Sequence, residues 1–231
     1  MQVEPYQAFA RDTLGFEFVN IDLLITAFTH RSYVNEHRKS VTEHNERLEF
    51  LGDAVLELVV TDFLFRNYSE AEGILTSWRA ALVRTESIGD AGSLLGYEPL
   101  IRMSRGEKQG SDRARMQILA NAFEALIGAI YLERGYDDAA VFITKNISSK
   151  LDAIIAEGSW RDPKSHLQEV MQRKDGVTPR YVVIEEVGPD HDKIFTLGVY
   201  SGDRLISKGT GPSKQAAQQE AAKEALLQYQ A

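Results

Sequence analysis

Glu46-Arg47-Leu48-Glu49-Phe50-Leu51-Gly52-Asp53-Ala54 is the stretch from which the rest of the chain can be read. Apolar residues continue beyond it at three- and four-residue spacing, which predicts a helix over residues 45–66. On that helix Glu46, Glu49, Asp53 and Glu57 fall within a sector of roughly 80°. Leu48, Leu51, Val55, Leu58 and Val59 cover the other side, and Phe50, Leu56 and Val60 press in from the flanks, so the helix is expected to be mostly buried. Carboxylates crowded into a partly dry site either take up protons or collect cations, because an unpaired buried charge is costly. Hard oxygen donors of this kind suit Mg²⁺ or Mn²⁺. On these residues alone, a solvated acidic face with no role is the competing reading.

A second segment adds to the first. Residues 118–132 are almost wholly apolar apart from Asn121 and Glu124, which lie three apart and so share a helix face. A Glu inside Ala122-Phe123-Glu124-Ala125-Leu126-Ile127 is not there for solubility. If the two helices pack together, four oxygen-bearing side chains gather around one point. Metal-assisted phosphodiester hydrolysis is the chemistry such a point supports, with the cation activating a water and offsetting charge on the leaving oxygen.

Working outward, residues 22–157 read as helix after helix, broken at Gly73, Gly89, Gly96, Pro99, Gly106, Gly110 and Gly135. The pattern changes after Gly158-Ser159 and Asp162-Pro163. One helix (164–174) is followed by three strand-like runs at 180–187, 193–200 and 204–208, then by a helix over 212–230. Ser201-Gly202-Asp203 suggests a hairpin between the last two runs. The expected domains are therefore 1–158, all helical, and 162–231, a small α+β unit in the order α-β-β-β-α.

Composition narrows the class. The chain has 231 residues, 43% apolar and 26% charged, in the range of ordinary globular proteins. It has no cysteine, which removes disulfide frameworks and thiolate zinc sites and fits a reducing cytoplasm. The N-terminal residues carry Glu4, Arg11, Asp12 and Glu17 without a continuous apolar run, so neither a signal peptide nor a membrane anchor is expected. The net charge of −8 looks wrong for a nucleic-acid binder. Residues 1–160, however, hold 16 Lys and Arg against 24 Asp and Glu, whereas residues 161–231 hold 10 against 10. The acidity belongs to the helical part alone.

The second part offers three separated polar patches, as a reader of duplex RNA requires, since such a reader contacts minor grooves and the phosphates between them. Ser165, Gln168 and Glu169 stand at i, i+3 and i+4 of the first helix. Gly188-Pro189-Asp190-His191 reads as a loop, with Pro189 and His191 as candidate contacts. Gly209-Thr210-Gly211-Pro212-Ser213-Lys214 opens the last helix, where Ser213, Lys214 and free backbone N–H groups suit a phosphate. Taken alone, that last stretch also reads as an N-capped surface turn. His30, His37 and His44 recur every seven residues but lack the companions of a transition-metal site.

With these pieces assembled, the chain resembles the bacterial ribonuclease III family. The resemblance rests on residues 46–54, supported by Thr29-His30-Arg31-Ser32-Tyr33, Glu72-Gly73 and Phe123-Glu124-Ala125-Leu126-Ile127-Gly128-Ala129. It implies a dimerising all-α nuclease domain followed by a double-stranded-RNA-binding domain. It further implies Mg²⁺-dependent cleavage of both strands, with Mn²⁺ as a substitute, leaving 5′-phosphates and short 3′ overhangs, and processing of ribosomal RNA precursors. By the same resemblance Glu49, Asp53 and Glu124 are metal-binding acids, Asp53, Glu124, Glu46 and Glu72 are catalytic, and Phe50 lies at the dimer interface. One departure stands out, because the family normally has Asp where this chain has Asn121. The amide oxygen can complete the metal shell but brings no charge, so the cluster carries −3 instead of −4 and holds Mg²⁺ less tightly. Two alternatives follow: a duplex-RNA-binding dimer whose nuclease site is weakened or inactive, and an acidic helix that serves only as a dimerisation surface.

Overall fold

The computed structural model describes residues 3–189 and 193–230. The chain splits into two compact units, Met1–Trp160 and Arg161–Ala231. The first is helical: α1 (Glu4–Phe9), α2 (Ile21–Ala27), α3 (Arg31–Glu36), α4 (Glu46–Asn67), α5 (Glu72–Val83), α6 (Thr85–Leu95), α7 (Asp112–Arg134), α8 (Tyr136–Asn146) and α9 (Leu151–Glu157). The second runs α10 (Pro163–Asp175), β1 (Arg180–Val187), β2 (Ile194–Ser201), β3 (Arg204–Gly211) and α11 (Lys214–Gln230). This is the expected fold class in both halves.

The axis of the first unit is α7. Ser111 caps its start, its Oγ accepting from the Ala114 N–H, and Gly135 ends it at φ 88°. From Ile118 to Ile130 nearly every side chain is buried, because α4, α6, α8 and α2 pack around it. Fully buried Tyr97 pins it from one side, donating from its hydroxyl to the Leu119 carbonyl at 2.7 Å. The start of α4 is tied down separately. The Asn45 N–H donates to the Thr29 carbonyl at 2.9 Å, and Thr29 in turn forms a short parallel bridge with Arg102. Asn45 is 1% exposed, so the turn preceding the acidic residues is held in the core.

The burial pattern of α4 departs from expectation. Phe50 is 80% exposed, Leu58 57% and Phe65 77%, and Ala54 is also exposed. These residues share a stripe of roughly 80° beside the acidic one, turned away from α7. Periodicity predicts a mostly buried helix, with Leu58 on its covered side and Phe50 pressing in from a flank, whereas both are exposed; the resemblance places Phe50 instead at a dimer interface.

In the second unit three antiparallel strands in the order β1-β2-β3 form the sheet. Its helix-facing side meets Leu167, Met171, Ala221, Ala222, Ala225 and Leu226 of α10 and α11. Asp162 caps α10, accepting from the Ser165 N–H at 2.9 Å, and Gly202 turns the β2–β3 hairpin at φ 59°. β3 runs to Gly211, three residues past the expected end. The glycines of Gly209-Thr210-Gly211 suggest a turn, but the stretch is strand. Their purpose is contact: a Cβ on Gly209 would stand 2.1 Å from the Ala221 nitrogen, so glycine lets the strand lie directly on α11.

Candidate active site and nucleic-acid interface

α4 and α7 cross backbone against backbone at a pair of glycines. A Cβ on Gly52 would lie 1.7 Å from the Glu124 carbonyl oxygen, and one on Gly128 would lie 2.3 Å from the Leu48 carbonyl oxygen. No side chain fits at either place. Gly52 stands directly before Asp53, and Gly128 one turn after Glu124, so the crossing delivers Glu49 and Asp53 of α4 to Glu124 of α7. Sequence reasoning passed over both glycines. The available signal was their cost: a glycine inside a helix sacrifices about 1 kcal/mol relative to alanine, which close packing can justify.

The three acids feel one another. Burial, then the charges of Asp53 and Glu49, push the Glu124 carboxyl up to about 7. Burial, then Glu46 and Asp53, raise Glu49 as well. Among the described residues none of these three carboxylates has a hydrogen-bond or ion-pair partner. The outer two acids of the stripe differ. Glu46 lies 3.3 Å from Arg31 and 3.7 Å from His44, and Glu57 lies 3.1 Å from Arg79. The stripe is therefore neutralised at both ends and bare in the middle, where it meets α7.

Asn121 lies one turn before Glu124, and its Oδ1 accepts from Gln117 Nε2 at 2.7 Å. Glu72 is not brought to this cluster within the chain. It opens α5 and lines a cavity of about 460 Å³ with Thr61, Leu64, Phe65 and Arg79. Phe65 is about 18 Å along α4 from Asp53.

The donor set here consists of carboxylate and amide oxygens without a counter-charge, which suits a hard divalent cation. Among the described residues no three His, Cys, Asp or Glu side chains stand close enough to enclose an ion as they are. His30 is occupied elsewhere, its ring nitrogen taking the Ser32 N–H as the cap of α3. The ring of His37 stacks on Tyr33 at 4.0 Å.

In the second unit Ser165, Gln168 and Glu169 are exposed along α10, as is Pro189 after β1. Ser165 is partly committed, because its Oγ donates to Asp162 Oδ2 at 2.8 Å. His191 lies outside the described residues. Ser213 Oγ accepts from the Ala216 N–H at 3.1 Å and so caps α11. Lys214 is exposed but not free: its Nζ lies 2.9 Å from Glu186 Oε1 and above the Phe195 ring. Gln218, on the next turn of α11, accepts from Lys164 Nζ at 2.6 Å.

Known proteins share this two-domain organisation. Residues 20–151 match the family model described as Ribonuclease-III-like, and residues 163–229 match the Double-stranded RNA binding motif. The Ribonuclease 3 of Carboxydothermus hydrogenoformans is 46% identical over 214 residues, covering 92% of this chain and 91% of the relative. That of Listeria monocytogenes is 42% identical over 220 residues, covering 94% of each. Among solved structures, the nuclease domain of a ribonuclease III from Campylobacter jejuni aligns with a TM-score of 0.53 at 42% identity, covering 60% of this chain and 96% of that one. No described helix is long and apolar enough to cross a membrane. With its paired acidic helices and its appended RNA-binding unit, the chain belongs to the ribonuclease III family of endoribonucleases.

Proposed function

We propose that the protein is a homodimeric, Mg²⁺-dependent cytoplasmic endoribonuclease that cuts both strands of duplex RNA, leaves 5′-phosphates and short 3′ overhangs, and processes ribosomal RNA precursors and other structured transcripts. The observation that carries this reading is the partnerless trio Glu49, Asp53 and Glu124 at the glycine crossing. In it, those three side chains and Asn121 Oδ1 hold Mg²⁺, or Mn²⁺ in its place. Bound there, the cation supplies the charge that makes water a nucleophile at neutral pH and relieves the leaving oxygen. The chain's own residues do the placing. Asp53 and Glu124 face the reacting phosphate from two helices, and Glu46, anchored by Arg31 and His44, closes the edge of the cluster. Glu72 stands too far from its own chain's trio to act there, so a role for it requires the dimer to present it to the partner's acids.

Dimerisation is supported by the Phe50, Leu58 and Phe65 stripe, which burial against a second copy would cover. The Campylobacter jejuni structure is itself described in terms of a region involved in dimer formation. On the second unit, Ser165, Gln168, Glu169 and Pro189, with His191, meet the minor grooves, and Ser213 with Lys214 meets a phosphate. The test is incubation of a long RNA duplex with graded Mg²⁺ or Mn²⁺, with the product ends mapped. Staggered cuts that vanish in Glu124→Gln are expected.

One observation favours a second reading, a duplex-binding dimer that scarcely cuts. Asn121 is neutral, and its oxygen is already engaged by Gln117. Cleavage absent at every metal concentration but restored by Asn121→Asp would select this alternative.

A further inference from the structure

Lys214 has an acidic companion for which neither the nuclease reaction nor RNA recognition has so far given a use. A bulge between Val183 and Glu185 shifts the register of β1, so that Glu185 stands opposite Thr196 and Glu186 opposite Phe195. Residues directly opposite across a strand pair share a face of the sheet. Glu186 therefore lies on the side of the Phe195 ring, and that ring lies 5.5 Å beneath Lys214. The Glu186 carboxylate reaches two ammonium groups at once: Oε1 is 2.9 Å from Lys214, and Oε2 is 3.9 Å from Lys193. Glu185, one residue away, turns to the opposite face.

A carboxylate bridging two lysines has the form of a phosphodiester bridging them, with two oxygens sharing one negative charge. We infer that Glu186 is a built-in surrogate for an RNA phosphate, which the RNA backbone must displace from Lys214 in order to bind. The inference rests on the reading of Lys214 as a phosphate contact. It makes Glu186 an affinity-setting residue: a lysine already satisfied gains less from a phosphate than a bare one, and the released carboxylate stands beside the incoming charge. The lowered proton affinity of Glu186, caused first by its hydrogen bond from Lys214, fits a carboxylate held in place by its cations. The exchange also trims the salt dependence of binding, because the freed carboxylate gathers cations as the RNA sheds them.

The experiment measures binding of the full chain to a blunt RNA duplex by fluorescence anisotropy, in EDTA so that nothing is cut, across a series of KCl concentrations. Glu186→Gln is expected to tighten binding roughly fivefold and to steepen the salt slope by up to about one. Glu185→Gln makes the same change in net charge on the other face and is expected to do little. In a Lys214→Met background the gain from Glu186→Gln should disappear. Equal gains from both glutamates, no gain from Glu186→Gln, or a gain that survives the loss of Lys214 would each overturn the inference. If Lys214→Met alone leaves affinity unchanged, it is the phosphate role of Lys214 that fails, and the inference falls with it.

Discussion

Glu124 concentrates the electrostatics of the helical unit into one titration. Its carboxyl, raised to about 7 by burial and by Asp53 and Glu49, keeps a proton in the folded protein that the unfolded chain releases near 4.5. Below the lower value both states are protonated and nothing is lost. As pH rises from about 4.5 through about 7, the metal-free protein loses stability, by about 2 kcal/mol after allowance for partial exposure. Urea unfolding of the metal-free protein across this range should show the decline, and Glu124→Gln should abolish it while being more stable than the parent at pH 8. If Glu124 holds the metal as proposed, divalent cations compete with the proton for its carboxylate. Apparent Mn²⁺ affinity, read by calorimetry, is accordingly expected to rise with pH up to about 7 and then to level off, and a flat profile below 7 would detach Glu124 from the proposed metal site.

At the scale of elements, the crossing of α4 and α7 couples packing to chemistry. Gly52→Ala forces its methyl into the Glu124 carbonyl, and nothing flexible is there to yield. We expect a loss of about 3 kcal/mol in denaturant stability and at least roughly tenfold in cleavage, with RNA affinity preserved because the second unit is intact. Stability unchanged in that variant would show that the helices do not meet there. The acids were legible in the sequence because helical spacing placed Glu46, Glu49 and Asp53 on one stripe and Asn121 and Glu124 on another. Their fates were not. Glu57 finds Arg79 and Glu46 finds Arg31, residues 22 and 15 positions away, and no local pattern encodes which acids acquire such partners. The end of β3 was misread for a related reason, since a glycine that serves contact looks in sequence like a glycine that serves a turn.

For the molecule as a whole, the order of a helical unit and an α-β-β-β-α unit was visible in the change of pattern after residue 158, where helical spacing gives way to short strand-like runs. Helical spacing does not distinguish an apolar residue of the core from one on an exposed stripe; for Phe50 only the resemblance pointed outward. Phe50, Leu58 and Phe65 follow helical periodicity as core residues do, yet among the described residues no element covers them. Phe50→Glu is therefore expected to weaken self-association by on the order of a hundredfold in sedimentation velocity, while the folded monomer persists. Its cleavage should fall with its dimer fraction, and its duplex affinity should fall only as far as losing the second RNA-binding unit requires. A Phe50→Glu protein that remains fully dimeric would place the interface elsewhere.

The paired glycines at the helix crossing also bear on how this protein can vary. Positions 52 and 128 bear no side chain, yet each lies against a carbonyl that leaves no room for even a methyl group. A library saturating every codon, selected for cleavage, would find them about as intolerant as Glu124, whereas Gln117 and the paired Glu57 would accept many residues. A map of mutational tolerance would thus mark as essential two sites with no chemistry of their own, whose whole contribution is the space they leave empty.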